Sequence, residues 1–220
     1  GSEMCIRDRD RRNDAGSSFF NIIKSKTGSV SDQGWMKDDI LIDVSRETIE
    51  LLQQLRVLVE KWNKSINLIS KSTVPEIWSR HILDSAQIFY ARNKGFKRWL
   101  DIGSGAGFPG LVVSILAQDN NINGEIVLVD SDTRKCAFLS TVRRELSLNL
   151  YIINNRIELC DRQEADVISA RALTDLSNLL ELSFNHMNDD STLIFAKGKS
   201  WREELFAAEK IWNFSWEAVT

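Results

Sequence analysis

An apolar run ends on an acid and then opens into glycine: Leu100-Asp101-Ile102-Gly103-Ser104-Gly105-Ala106-Gly107-Phe108-Pro109-Gly110 places four glycines in eight positions. Glycine has no Cβ, so such a loop can take positive φ and let a ligand reach main-chain N–H groups that a larger residue would cover. A plain strand-to-helix turn needs no such concentration, because each glycine adds conformational entropy that folding must remove. The loop predicts a strand, a ligand-cradling turn and a helix.

The flanking sequence continues that rhythm. Trp99 to Ile102, Glu125 to Asp130, Tyr151 to Asn154, Asp166 to Ala170 and Thr192 to Ala196 read as strands. Gly110 to Gln118, Thr133 to Leu146, Thr174 to Met187 and Trp201 to Trp212 read as helices, with a short crossover from Arg156 to Glu164. Such alternation predicts an α/β, doubly wound parallel sheet. Upstream, a helix from Asp43, capped by Asp43 or Ser45, carries Ile49, Leu52, Leu55, Val59, Trp62 and Ile66 on one face. A second is expected from Pro75, with Ile77, His81, Ile82, Ser85 and Phe89. The organisation expected is a loosely attached or disordered leader over 1–42, N-terminal helices over 43–95 and the sheet over 96–220.

At 220 residues the chain can bury a sizeable core, and its net charge of −3 gives no global attraction to nucleic acid. An RNA or DNA partner must then be met by a local basic patch. No apolar stretch approaches the roughly 20 residues of a membrane span. The charged N-terminus does not read as a secretory signal, so a cytoplasmic protein is expected. Cys5, Cys136 and Cys160 form no Cys-x-x-Cys pair, which argues against a disulfide framework or a zinc site and for buried free thiols.

Two nucleoside cofactors compete for the loop. Gly105 to Gly110 fits the G-x-G-x-x-G of dinucleotide folds, and Asp130 lies about 20 residues on, where a ribose-binding acid belongs. Against this, the motif starts late relative to the strand end, and Pro109 removes an N–H from the turn that would hold a pyrophosphate. Asp101 would repel a pyrophosphate but can accept a hydrogen bond from the ammonium of S-adenosylmethionine. Asp130 can take ribose hydroxyls of either cofactor, or join Ser131 and Asp132 in a helix cap, and so does not discriminate.

Further segments follow in order: Lys61-Trp62-Asn63-Lys64 then Asn67-Leu68, Arg80-His81-Ile82-Leu83-Asp84-Ser85, Asp130-Ser131 then Arg134-Lys135, Arg156-Ile157-Glu158, Ser169-Ala170-Arg171-Ala172 and Lys197-Gly198. Together with the loop they make the chain resemble the bacterial small-subunit ribosomal RNA guanine-N7 methyltransferases, the RsmG family. The resemblance implies a Rossmann-like class I methyltransferase sheet of seven strands with two N-terminal helices and S-adenosyl-L-methionine as cofactor. It implies cofactor contacts at Gly103, Phe108, Ile157, Glu158 and Arg171, to which the residues themselves add Asp101, Gly105 and Asp130. Ile157 offers adenine an apolar wall, while Glu158 would otherwise read as a solvated loop acid. The sixth strand would be Ser215 to Thr220, so the last strand is expected to be missing and the sheet edge bare. The leader before Asp43 matches nothing in that family.

The implied reaction is methyl transfer to N7 of a guanine in 16S ribosomal RNA, with the RNA or the small ribosomal subunit as partner. N7 carries an in-plane lone pair and no proton, so no general base is expected. Alignment must supply most of the rate, on the order of 7 to 11 kcal/mol. Arg80, His81, Arg134, Lys135, Arg143, Arg144, Arg171, Lys197 and Lys199 are the candidates for holding RNA. Of these, His81, Arg171 and Lys197 are expected at the reacting centre, Lys197 on a phosphate or guanine O6. Arg143 and Arg144 read better as a solvated helix face. His81 reads equally as a packed core histidine, and Asn67 either braces its loop or meets the substrate. A monomer without metal is expected. The competing readings are a methyltransferase for another substrate, a cofactor-binding fragment without turnover, and an NAD(P)-dependent oxidoreductase.

Overall fold

Side chains alternate across the strand that feeds the glycine loop. Trp99 packs into one core with Leu52, Phe89, Leu111 and Phe138, while Leu100 and Ile102 pack into another with Leu179 and Leu205. That period of two fixes a sheet covered on both faces. The computed structural model describes the backbone of residues 2–7, 44–92 and 95–219, and the side chains of 44–92 and 95–218. Its strands are β1 (Ser2–Arg7), β2 (Arg98–Ile102), β3 (Glu125–Asp130), β4 (Tyr151–Asn154), β5 (Ala165–Arg171), β6 (Met187–Lys197) and β7 (Ser215–Val219). They lie in the order β4-β3-β2-β5-β6-β1-β7, with β2 to β6 parallel and β1 antiparallel to both neighbours.

Four helices, α1 (Arg46–Trp62), α2 (Asp84–Tyr90), α3 (Gly110–Asp119) and α4 (Thr133–Glu145), supply the first core; α5 (Leu176–Phe184) and α6 (Trp201–Ala208) supply the second. Ser45 caps α1, its hydroxyl accepting from Thr48 N at 3.2 Å. Thr48 Oγ1 in turn donates to Asp119 Oδ1 at 2.8 Å, tying the start of α1 to the end of α3.

Three expectations are corrected. The helix expected from Pro75 is broken into a 3-10 turn, Lys71–Glu76, that contains the proline, a π-helical turn, Trp78–Leu83, and α2. Proline offers no N–H to a regular ladder, and wide π turns recur at functional sites. Residues 2–7, expected in the leader, form β1 in the lane between β6 and β7, so where a missing strand and a bare sheet edge were expected, β6 and β7 are both paired to β1. An open edge is a row of unsatisfied N–H and C=O groups that any extended segment can pair. The rest of the leader, residues 1 and 8–42, lies outside the described residues. Cys136 is a buried free thiol but Cys160 is half-buried; the side chain of Cys5 lies outside the described ones.

The short crossover yields only a 3-10 turn, Ile157–Leu159, where a full helix would pack. A groove of about 610 Å³ runs there beside α5, lined among others by Glu158, Leu173 and His186.

Gly107 has φ +82°, and a Cβ there would meet Leu111 Cδ1 at 2.2 Å; around Gly198 a Cβ would meet nothing within 4 Å. We expect Gly107→Ala to lose about 2 kcal/mol or more of unfolding free energy in urea and Gly198→Ala to stay within about 0.5 kcal/mol. Equal losses would contradict this account of the loop.

Candidate functional site

From β2 the chain moves outward through β3 and β4 and then returns to the other side of β2 as β5. The strand order reverses between β2 and β5, where doubly wound sheets open a crevice at their carboxyl ends. Asp101 pairs with Ser169 and Ile102 with Ala170 in this register, so the loops leaving the two strands meet. Gly103 takes φ +65°, and a Cβ there would lie 2.7 Å from Leu173 Cδ1 of the loop after β5. Gly107 N donates to Ser104 O at 2.7 Å to close the turn, and Leu111 N donates to Gly107 O at 2.7 Å to start α3.

Two acids organise this loop from below. Asp101 is 0% exposed; its Oδ1 accepts from the Ser169 hydroxyl at 2.7 Å and its Oδ2 from Gly110 N at 3.3 Å. Ser169 Oγ also accepts from Trp99 Nε1 at 2.8 Å, so the hydroxyl is held on both sides. Burial pushes the Asp101 carboxyl up to about 6, against the opposing pull of Ser169. At the end of β3, Asp130 Oδ2 accepts from Gly105 N at 2.8 Å and Oδ1 from Asp132 N at 2.8 Å. A carboxylate has about four lone-pair positions, so Asp130 retains acceptor capacity toward a diol. Asp132 caps α4, accepting from Arg134 N at 2.9 Å.

Asp101 was expected to meet a ligand's ammonium directly. Its side chain presents no surface and braces the loop from beneath, accepting from Gly110 N and the Ser169 hydroxyl.

Above the loop lies the π-helical turn. The His81 ring stacks on Phe108 with centroids 5.1 Å apart and planes at 30°, and its Nε2 is 3.1 Å from Thr73 Oγ1. Burial, then the charges of Arg171 and Arg80, lower the His81 pKa to about 4, so the imidazole is neutral at physiological pH. Arg171 closes the far side, its Nη2 donating to the Arg80 carbonyl and lying 3.6 Å from Asp84 Oδ2. The structure thus brings together Asp101, Gly103, Gly105, Phe108, His81 and Arg171.

Other candidates fall elsewhere. Lys197 is not presented to a substrate: its ammonium, on a side chain 8% exposed, sits 2.6 Å from Glu204 Oε2 and donates to Thr174 O at 2.7 Å. With Glu204 Oε2 also accepting from Leu176 N at 3.0 Å, the cluster anchors the loop after β5. Ile157 is buried in the second core, and Glu158 beside it is exposed on the rim of the groove. Arg134 and Lys135 open α4 next to the end of β3, with Arg134 paired to Asp132 at 3.2 Å. Arg143 and Arg144 sit in the last turn of α4, at the opposite end of that helix. Lys199 is exposed beyond the end of β6. Asn67 is exposed, and it is Asn63 that braces the turn after α1, accepting from Leu68 N at 2.9 Å and Ile69 N at 3.0 Å. Among the described residues no group of three or more His, Cys, Asp or Glu side chains converges as a metal site would, and no helix is long and apolar enough to cross a membrane.

The model of one protein family, rRNA small subunit methyltransferase G, matches residues 48–220. The chain belongs to this family. Relatives named ribosomal RNA small subunit methyltransferase G include one from Ruegeria pomeroyi, 47% identical over 81% of this chain and 87% of its own length. Another, from Cereibacter sphaeroides, is 47% identical over 84% of this chain and 90% of its own. A solved SAM-dependent O-methyltransferase from Thermotoga maritima aligns at a TM-score of 0.48 and 15% identity, over 63% of this chain and 54% of that one.

Sequence reasoning missed four members of the site: Ser169, Asp84, Thr73 and Glu204. Ser169 and Asp84 stood inside quoted motifs, but their roles come from strand register and from a contact between distant segments. A polar residue opposite a buried acid in a neighbouring strand is the signal that would have found Ser169.

Two titrations check the electrostatics. Asp101 has a folded pKa of about 6 against an ordinary 3.8. Between those values the folded chain holds a proton the unfolded chain has lost, so this group's contribution to stability falls as pH rises through that window. The unfolding free energy of Asp101→Asn relative to the original should therefore rise by roughly 2 kcal/mol from pH 4 to pH 7 in urea titrations. A pH-independent difference would contradict the assignment. The His81 ring resonances should show no titration between about pH 5.5 and 8 by NMR, and a midpoint near 6.5 would mean the ring is solvated.

Proposed function

We propose that the chain transfers a methyl group from S-adenosylmethionine to N7 of a guanine in the 16S RNA of the small ribosomal subunit, in the cytoplasm. The observation that carries the reading is the family match over residues 48–220, which takes in every element around the glycine loop. The residues fit the cofactor. Asp101 stands one residue before the end of β2 and Asp130 ends β3, Pro109 lacks the N–H a pyrophosphate would use, and Gly105, at positive φ with no side chain packed over it, leaves the backbone open to approach. When bound, S-adenosylmethionine supplies an electrophilic methyl group on a positively charged sulfur.

The side chains divide the remaining work. Asp130 has acceptor capacity for the ribose hydroxyls, and Glu158, on the loop after β4, can reach the edge of an adenine. Asp101 keeps the loop in shape and adds negative charge beneath a cationic ligand. Its raised pKa ties cofactor affinity to the pH range in which it ionises. Guanine N7 needs no proton removed, and the neutral His81, stacked on Phe108, suits a positioning surface rather than a base. A donor aimed at N7 would block the nucleophile, so contacts to the base belong on O6 or the Watson–Crick edge, which an unpaired guanine exposes. Arg80 and Lys135 flank the loop with positive charge despite the acidic whole.

Incubating the protein with methyl-labelled S-adenosylmethionine and undermethylated small subunits, then digesting the RNA to nucleosides, tests this. Label should co-elute with 7-methylguanosine, and transfer should weaken steeply as salt rises. Label in protein, or in another nucleoside, would overturn the proposal.

A further inference from the structure

One carboxylate fastens the segment that carries His81 to the cofactor side of the sheet. Arg171 ends β5, and its Nη2 donates to the backbone oxygen of Arg80 while lying 3.6 Å from Asp84 Oδ2, at the first residue of α2. The two paired side chains are 19% and 32% exposed, so the pair is screened less than one in open water. Arg80 gives this contact its carbonyl rather than its charge, because its own guanidinium turns outward to Glu76, with Nε 2.8 Å from Oε2. A guanidinium is a rigid planar fork, so one nitrogen held against two acceptors on a single short segment sets the direction of the others.

We propose that Asp84 is a positioning residue that acts through Arg171: it orients the guanidinium toward the cofactor and couples the Lys71–Tyr90 segment to cofactor binding. This rests on the function proposed above and on the cofactor contact at Arg171 that the family resemblance implies; Asp84 itself acts without touching the cofactor. Burial raises the Asp84 pKa, and the charge of Arg171 opposes that rise without cancelling it. The pairing also explains why Arg171 and His81 share one cluster. The turn that Arg171 grips at Arg80 and Asp84 is the turn that lays His81 on Phe108 of the glycine loop. Loosening Asp84 should therefore be felt at the cofactor through Arg171, without a new contact being lost there.

The test is calorimetric titration of S-adenosylhomocysteine into the original protein and into Asp84→Ala, Asp84→Asn, Arg171→Ala and the Asp84→Ala/Arg171→Ala double variant, with melting temperatures in parallel. Asp84→Ala should weaken binding about tenfold, in line with loss of a charged partner. Asp84→Asn, which keeps the side-chain shape and a partial negative charge on the oxygen facing Nη2, should recover part of that loss, and it carries the test if the alanine variant does not fold. The double variant should bind no more weakly than Arg171→Ala alone, because Asp84 has no separate route to the ligand. A purely structural role would lower the melting temperature and leave the affinity of folded variants unchanged. Unchanged affinity in both Asp84 variants, or losses that multiply in the double variant, would overturn the inference alone. No binding to the original protein would overturn the function proposed above, and this inference with it.

Discussion

Everything at the carboxyl end of the sheet depends on one buried carboxylate. Asp101 has no exposed surface, and a buried charge without partners is unstable by several kcal/mol. Its oxygens are satisfied by a hydroxyl from β5 and an amide from the start of α3, so three elements meet on one side chain. Trp99 completes the chain by donating to the same hydroxyl. A slip of one residue between β2 and β5 would turn Ser169 to the other face and strand the acid, which makes the register of the two central strands hard to change. The crevice at the reversal of strand order inherits its shape from that register.

The glycine loop is suspended between two such anchors, since Asp130 holds Gly105 N as Asp101 holds Gly110 N. A loop with positive φ at Gly103, Gly105 and Gly107 would otherwise be free to sample many conformations. Around it, Lys197 and Glu204 fix the loop after β5, and Arg171 at the end of β5 fixes the π-helical turn. Cations that look ready for RNA in the sequence are thus partly spent on holding the site together. The exposed ones, Arg80 and Arg134 among them, stand at its margin.

The parallel strands were legible because each is an apolar run that stops on a polar or turn residue, and β3 begins and ends where the pattern changes. Asp101, one residue before the end of β2, and Asp130, at the end of β3, were legible for the same reason. What lay beyond the sequence is non-local. The partners of Asp101 depend on strand register, the charge state of His81 depends on its burial and then on Arg171 some 90 residues away in the chain, and the commitment of Lys197 depends on how α6 returns over the sheet. Pro75 signalled a helix start, yet packing of the following turn against Phe108 and Arg171 accompanies a wider π-helical path. The pairing of β1 beside β6 joins two ends of the chain, and no local pattern in Ser2–Arg7 announces it.

The central claim is that this braced loop is built for an S-adenosyl cofactor and not for a dinucleotide. Thermal unfolding in the presence of S-adenosylhomocysteine, NAD and NADP tests it most directly, since a ligand at about 100 times its dissociation constant adds roughly 2.7 kcal/mol of stability. The account predicts a rise of several degrees with S-adenosylhomocysteine and none with either dinucleotide. A rise with NAD or NADP alone would contradict it.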